Sequence, residues 1–199
     1  PKVVGGADAE SERVAGLLYE AVTSNDVIHA GDATTAECVK VFEGIYRDVN
    51  IALANELARV ADPLDVDVTR AIEVANTQPF CEIHDPGPGV GGHCIPLYPH
   101  FLTTTVEREL PLIETARAVN DEMPSFVTEA VVDLLGDRGV DIENADVLVL
   151  GVAYRAGVDE TRESPTRPVI AGLDALGARV WAADPAVDVA SVPDLPARS

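Results

Sequence analysis

Lysine is nearly absent from this sequence, and basic residues of both kinds are few. Of 199 residues, 14 are Lys or Arg and 34 are Asp or Glu, which gives a formal net charge of -20 at pH 7. Nucleic acid is bound through clustered basic side chains, so this composition argues against it as a partner. A surface this acidic repels itself in dilute buffer and is screened by salt. We therefore expect a halophilic protein, more stable in multimolar KCl than in dilute buffer.

Long hydrophobic runs and cysteine are scarce as well. The apolar run at residues 147–154 is far shorter than the ~20 residues that a membrane span needs, and no signal-peptide pattern is visible. Three cysteines make a poor disulfide framework and fit a reducing, cytoplasmic setting. The single methionine is Met123 and the first residue is a proline, so we expect a processed chain or part of a longer one.

The apolar residues among the first 76 positions follow the periodicity of helices. Apolar residues recur there at three- and four-residue intervals, as on one face of a helix. Thr34 followed by Glu37 forms a capping box, which predicts the start of the longest helix. We predict helices at residues 8–22, capped by Asp8, at 35–61, and at 67–76, capped by Asp67, with a short strand at 27–29.

The second half changes period. Residues 77–100 are rich in proline and glycine, so we predict no helix there. The pattern after them predicts helices at 101–109 and 112–136, a strand at 146–154 buried on both faces, a helix at 167–176 and a strand at 178–183. Strand, helix and strand form a βαβ unit. The fold class is therefore α/β: a mainly helical segment followed by an incomplete α/β domain, too small to be stable by itself.

The segment from Pro86 to Pro96 is the densest candidate site. Its glycines match G-x-G-x-x-G, but no strand precedes them and no helix follows, so we reject a dinucleotide fingerprint. Cys94 ends this turn, where backbone N–H groups can approach closely and stabilise a thiolate nucleophile. His93 is a poor base for it, because neighbouring side chains in extended backbone point apart. A buried structural cysteine remains the alternative.

Two further candidates depend on residue type. Cys81, His84, His93 and Cys94 are zinc-type ligands, but only the first pair has workable spacing, so we expect no metal site. Lys40 is the only lysine in the body of a sequence that otherwise uses arginine. It is either a solvated helix-face residue or an ammonium that stabilises an oxyanion.

Three motifs resemble the nucleotide-sugar dehydrogenases, the UDP-glucose/GDP-mannose dehydrogenase family, and most of all its UDP-N-acetylmannosamine branch. They are found in residues 36–56, in Gly87-Pro-Gly-Val-Gly-Gly-His-Cys94, and in Gly151-Val-Ala-Tyr154 with the following Asp159-Glu-Thr-Arg-Glu-Ser-Pro165. The resemblance implies a UDP-sugar substrate and oxidation of its primary alcohol to a carboxylate while two NAD are reduced. Cys94 would form a thioester, and Lys40 would stabilise the oxyanions.

The resemblance also implies substrate contacts at Gly91, Gly92, His93 and Arg162, and Arg162 is the one candidate for touching the cofactor. Three features depart from the family pattern: Gly44 replaces a usual asparagine, Tyr98 replaces a usual aspartate, and Gln78-Pro-Phe-Cys81 stands before the glycine turn where an arginine is often found. These changes bear on the oxyanion site and on thioester hydrolysis.

The implied domain order is an NAD-binding domain, a helical dimerisation domain and a nucleotide-sugar-binding domain. On this basis residues 1–33 are a remnant of the junction to a missing first domain. Residues 34–118 form the central helical domain, and 119–199 form a linking helix and part of the last domain. We expect a homodimer through the helix at 35–61. The alternative function is a non-catalytic dimerisation or assembly module.

Overall fold

The structure is a computed structural model, and it describes residues 1–193 and 195. Short 3-10 turns at Asp62–Leu64, Ile142–Asn144 and Val189–Ser191 accompany the helices and strands. In chain order the main elements are β1 (Lys2–Val4), α1 (Ala9–Val22), β2 (Val27–His29), α2 (Ala33–Ala61), α3 (Val68–Ala75), α4 (Tyr98–Thr105), α5 (Pro111–Gly136), β3 (Asp146–Leu150), α6 (Thr166–Ala175) and β4 (Arg179–Ala183).

The chain divides into two compact units, residues 1–46 and 47–199, with the division inside α2. In the first unit β1 and β2 pair in parallel, with α1 connecting them. The predicted helix and strand are confirmed, and Asp8 caps α1 by accepting a 2.7 Å hydrogen bond from the Ser11 N–H. The strand β1 was not predicted, because three residues are too few to show a period.

The start of α2 differs from the prediction. The helix begins at Ala33, and Asp32 rather than Thr34 caps it. One Asp32 carboxylate oxygen accepts the Thr35 N–H at 2.9 Å, and the other accepts the Thr35 hydroxyl at 2.7 Å. An aspartate one position before the first helical residue is a stronger cap than a threonine already inside the helix. The proposed capping box at Thr34 is therefore wrong.

Two shorter helices of the second unit flank the proline- and glycine-rich segment. The helix α3 is confirmed, with Asp67 as its cap through the Arg70 N–H at 3.0 Å. The helix α4 begins at Tyr98 and ends at Thr105, so the predicted bounds of 101–109, and a helix-free stretch up to residue 100, are wrong. Pro99 lies in its first turn, where a fixed backbone angle and a missing N–H favour a helix start.

The strands β3 and β4 pair in parallel, from Asp146 opposite Arg179 to Leu150 opposite Ala183, with α6 between them in sequence. This confirms the predicted βαβ unit. The expectation that β3 is buried on both faces is wrong, because Leu148 and Leu150 are 59% and 77% exposed. The strand stops at Leu150, since Gly151 turns the chain with a φ of +101°.

A single apolar core stabilises this second βαβ unit. Its partners on α5 include Val127 and Val131, so the linking helix supplies the cover that two strands and one helix lack. The predicted last domain runs to residue 199, but residues 194 and 196–199 lie outside the described residues. None of the described helices is long and apolar enough to cross a membrane. The buried core residues are Val152, Val169, Ile170, Leu173, Ala178, Val180 and Ala182.

Candidate active site

Cys94 lies at the end of the glycine-rich turn, immediately before α4. Its side chain is exposed. Its backbone carbonyl accepts the N–H groups of Leu97 at 3.1 Å and Tyr98 at 3.0 Å, so the residue is built into the start of the helix. The thiol is therefore accessible to a substrate while its backbone is fixed.

Amide side chains hold the segment that leads into the turn. Asn50 on α2 accepts the His84 N–H at 2.9 Å and donates to the Glu82 carbonyl at 2.7 Å. Asn76, at the end of α3, accepts the Ile83 N–H and donates to its carbonyl, both at 2.8 Å. These bonds replace a sheet ladder, which explains how an extended segment keeps one conformation without a partner strand.

A buried polar network then fixes the first glycine of the turn. The Gly87 N–H donates to Asn55 Oδ1 at 2.8 Å, and Asn55 Nδ2 donates to Asn120 Oδ1 at 2.9 Å. Asn120 Nδ2 in turn donates to the carboxylate and the carbonyl of Asp48, each at 2.9 Å. Arg117 completes the network as the ion-pair partner of Asp48. The turn is thereby joined to both α2 and α5.

The Asp48 carboxylate is fully buried, and its position in the network has an electrostatic cost. Burial raises its pKa, while the Arg117 guanidinium and the Asn120 amide oppose that rise. One carboxylate oxygen, Oδ2, has no hydrogen-bond partner among the described residues. A buried carboxylate is costly unless it is paired, so Arg117 is the residue on which this network depends.

The rest of the glycine turn packs directly against the third sequence motif. The Gly92 N–H donates to the Arg162 carbonyl at 3.3 Å. A Cβ on Gly91 would lie 2.7 Å from the Glu163 carbonyl oxygen, and one on Gly92 would lie 2.8 Å from the Tyr154 ring. Gly92 also has a φ of +88°, which side chains rarely adopt. Only glycine allows the backbone of the turn to come this close to the third motif. The structure thus brings Gly91 and Gly92 together with Arg162.

Arg162 and His93 both influence the carboxylate of Glu160. The Arg162 guanidinium pairs with the Glu160 carboxylate at 2.9 Å, on the surface. The pKa of Glu160 is lowered, first by the hydrogen bond from the Arg162 backbone N–H and further by the charge of Arg162 and by nearby His93. The Arg162 side chain is therefore held at Glu160, next to the backbone carbonyl that accepts the Gly92 N–H.

Lys40 lies on α2 in the first unit. Its side chain is exposed, and its ammonium lies 3.6 Å from the carboxylate of Glu43, one helical turn later. This is the environment of a solvated helix-face lysine.

A cavity of about 740 Å³ opens where β3 and β4 end. Gly151, Arg155 and Asp184 are among the residues that line it. The Asp184 carboxylate accepts the N–H groups of Val152 at 2.7 Å and Ala153 at 2.9 Å. Together with the Ala186 N–H, these bonds lower the pKa of Asp184 to about 2. Ligands of open α/β sheets bind at this end of the strands.

No three metal-ligating side chains converge anywhere in residues 1–193 and 195, which lends no support to the zinc alternative.

Four residues of the buried polar network were not predicted from the sequence: Asp48, Asn55, Arg117 and Asn120. A signal for them exists. Asp48 and Asn55 fall on the same buried stripe of α2 as Ile45 and Ala52. A polar residue on an apolar stripe needs a buried partner.

Fold and site together define an α/β protein in which a glycine turn, held by helical asparagines, presents an exposed cysteine. Comparison with known families is more specific. Residues 34–122 match the central domain of the UDP-glucose/GDP-mannose dehydrogenase family, and residues 148–197 match the UDP binding domain of the same family. The chain belongs to this family.

Individual relatives agree with the family match. A UDP-N-acetyl-D-mannosamine dehydrogenase of Methanocaldococcus jannaschii is 45% identical over 172 residues, which are 86% of this chain and 39% of the relative. The solved structure of a UDP-D-ManNAc dehydrogenase from Pyrococcus horikoshii superposes with a TM-score of 0.89 at 39% identity, covering 93% of this chain and 44% of that one. A UDP-N-acetyl-mannosamine dehydrogenase from Staphylococcus aureus gives a TM-score of 0.81 at 36% identity, covering 94% and 44%. The chain thus spans about two fifths of the length of these relatives.

Proposed function

We propose that this chain supplies the nucleophile, Cys94, and part of the nucleotide-sugar site of an NAD-dependent nucleotide-sugar 6-dehydrogenase. The substrate in this proposal is UDP-N-acetylmannosamine, whose C6 alcohol is oxidised to the uronate. One observation carries the proposal: exposed Cys94 ends a glycine turn that packs against the motif at 159–165, inside the region matched as a UDP binding domain.

In this reaction Cys94 forms a covalent bond to the substrate. Its thiolate adds to the carbon of the C6 aldehyde, which forms a C–S bond and leaves the negative charge on the carbonyl oxygen. Loss of hydride from that carbon gives a thioester. Water then adds to the thioester carbon, the C–S bond breaks, and the carboxylate and the thiolate are released together with both protons of the water. Lys40 is proposed to stabilise the oxyanions of these additions.

NAD is the hydride acceptor in this proposal, but the described residues do not form a site for it. The glycine turn follows no strand and opens no dinucleotide-type helix. The glycine turn after β1 does open α1, but Asp8 already occupies the helix N-terminus, and a Cβ on Gly5 would collide with the Asp32 carbonyl. A carboxylate cap repels a pyrophosphate. NAD is therefore proposed to bind outside the described residues, with Arg162 as the one residue here that could reach it.

The UDP part of the substrate is assigned to the cavity at the ends of β3 and β4. Arg155 offers donors for phosphate oxygens there, while the N–H groups of Gly151 and Ala153 are already bonded to the Ala183 carbonyl and to Asp184. The sugar is proposed to lie toward the glycine turn, where Gly91, Gly92, His93 and Arg162 surround the approach to Cys94.

The domain division at 34–118 and 119–199, after a junction at 1–33, is part of this proposal, as is a homodimer through α2. Apolar side chains on that helix, such as Phe42, Leu53 and Val60, are at least half exposed. Exposed apolar side chains along one long helix favour association of two copies. Size-exclusion chromatography at high salt tests this, and a strictly monomeric protein would contradict it.

The activity is tested on the protein as its source cells make it, with UDP-N-acetylmannosamine and NAD. We expect the uronate and NADH in a ratio of one to two. The variant Cys94→Ala should form uronate at least about 10³-fold more slowly, because the covalent step is lost. Cys38→Ala is the matched control and should retain activity. Equal loss in both variants, or full activity without Cys94, would overturn the assignment.

The second candidate, a non-catalytic dimerisation or assembly module, is supported by the exposed position of Lys40 and by the lack of a dinucleotide site in the described residues. It predicts a dimer that never turns over any UDP-sugar, even with NAD and with the Cys94 turn intact.

A further inference from the structure

The segment from Gly151 to Gly157 makes two kinds of contact. It lines the cavity at the strand ends, and it packs against the glycine turn that carries Cys94. On one side Gly151, Ala153 and Arg155 line the cavity at the strand ends. Between the last two of these residues, Tyr154 packs against the glycine turn of Cys94. The same short segment therefore touches both the cavity and the turn.

The contact between Tyr154 and the turn is close. A Cβ on Gly92 would lie 2.8 Å from Cε2 and 3.0 Å from Cδ2 of the Tyr154 ring, and one on Gly91 would lie 2.8 Å from Tyr154 Cβ. The ring and its stem thus lie directly on the backbone two and three residues before Cys94. Packed contacts in a protein interior transmit a displacement rather than absorb it.

Hydrogen bonds fix both ends of this arrangement. The Asp184 carboxylate, which also lines the cavity, holds the N–H groups of Val152 and Ala153 immediately before Tyr154. The Tyr154 N–H donates to the Glu160 carbonyl at 3.0 Å. The next residues along the chain then return to the turn, where the Arg162 carbonyl accepts the Gly92 N–H.

We infer that Tyr154 is a positioning residue: through its ring, a nucleoside diphosphate bound in the strand-end cavity orders the turn that carries Cys94. The inference rests on the proposed function, because it takes the cavity as the nucleotide site. A ligand that orders residues 151–157 presses the Tyr154 ring against Gly92 and reduces local opening of the turn. Bound nucleotide thus further restricts a turn that already holds the backbone of Cys94, and it orients the thiol for attack.

Hydrogen exchange with UDP as the probe tests this coupling. In the unsubstituted chain, UDP should slow amide exchange in residues 151–157 and also in 89–94, each by at least about threefold, because local opening becomes rarer. In Tyr154→Ala, UDP should slow exchange in 151–157 but no longer in 89–94. Tyr154→Phe keeps every ring atom near Gly92 and should behave like the unsubstituted chain.

Tyr19→Ala, on α1 of the first unit, controls for loss of a tyrosine and should keep both effects. If circular dichroism shows Tyr154→Ala to be unfolded, Tyr154→Leu replaces it with the same expectation. Slower exchange in 151–157 alone in the unsubstituted chain would overturn the coupling and leave the nucleotide site standing. Slower exchange in neither segment would overturn both. Retained slowing in 89–94 without the Tyr154 ring would remove Tyr154 from the coupling.

Discussion

The described part of the chain contains two βαβ units, and their helices have opposite environments. In the second unit Val169, Ile170 and Leu173 of α6 are buried in a continuous core. In the first unit the apolar side chains of α1, such as Leu18 and Val22, are 61% and 70% exposed. Both helices have amphipathic sequences, so the difference is not in their patterns.

This difference shows that periodicity predicts a helix but not what covers it. The core of the second unit is completed by α5, a helix that precedes the unit in sequence. Within residues 1–46, the structure offers α1 only two three-residue strands. A helix with an uncovered apolar face gains little stability from that face.

The largest expected effect that separates the two units is a core truncation. Ile170→Ala should lower the free energy of unfolding by about 2–5 kcal/mol, because it removes buried methyl groups and leaves a cavity. Leu18→Ala is the matched substitution in the first unit and should change it by less than about 0.5 kcal/mol. Urea unfolding followed by circular dichroism measures both. Equal losses would mean that α1 is covered as well as α6.

A second pair of substitutions compares the close packing of the two helices. Gly172→Ala on α6 would place a Cβ 2.9 Å from the hydroxyl oxygen of Thr128, which is buried and bonded to the Pro124 carbonyl. We expect a loss of about 1–3 kcal/mol from overpacking. Thermal unfolding checks this value.

Gly16→Ala on α1 is the matched case. Its Cβ would lie 2.5 Å from His29 Cε1, but the His29 side chain is half exposed and can turn away. The gain of about 0.5–1 kcal/mol in helix propensity offsets the remaining cost. The net change should therefore stay within about 1 kcal/mol. A Gly16→Ala loss larger than that of Gly172→Ala would reverse the comparison.

The smallest effect concerns acid stability of the second unit. The pKa of Asp184 is lowered to about 2 in the folded chain by backbone N–H donors. A lowered pKa means that the ionised carboxylate stabilises the fold above its unfolded pKa. This stabilisation is lost as the pH falls from about 4 through 2. Asp184→Asn should therefore lose less stability than the unsubstituted chain over this range, as measured by thermal midpoints.

Asp174→Asn, an exposed position on α6, is the control and should follow the unsubstituted chain. Apart from these two aspartates the acidic residues are the same in all three proteins, so the difference between the profiles isolates Asp184. Parallel profiles for Asp184→Asn and the unsubstituted chain would contradict the assigned cause.

Most of the fold could be predicted because most elements are long enough to show a period. Five of the six helices and the strands β2 to β4 were expected within a few residues, and the sixth, α4, was expected three residues too late. The strand β1 is too short for such a signal. The exposed face of β3 was missed because an apolar run cannot reveal whether one face or both are covered.

The site was predictable only where chemistry is local. Cys94 and its glycines stand together in the sequence, so their nature could be recognised. The network from Asn55 to Arg117 and the Tyr154 contact with Gly92 join residues about 60 apart. Such contacts depend on how α2, α5 and the βαβ unit pack, and no local pattern contains that information.

Cys94 is proposed to be a preformed nucleophile, and its alkylation rate tests this directly. Iodoacetamide is added to the folded chain, and peptide mapping by mass spectrometry gives the rates at Cys94 and Cys38 separately. A free peptide of residues 90–98 provides the reference thiol. We expect Cys94 to react faster than both, because its thiol is exposed and its backbone is held in place as for attack on a substrate. A rate at Cys94 equal to or below that of the free peptide would contradict the account.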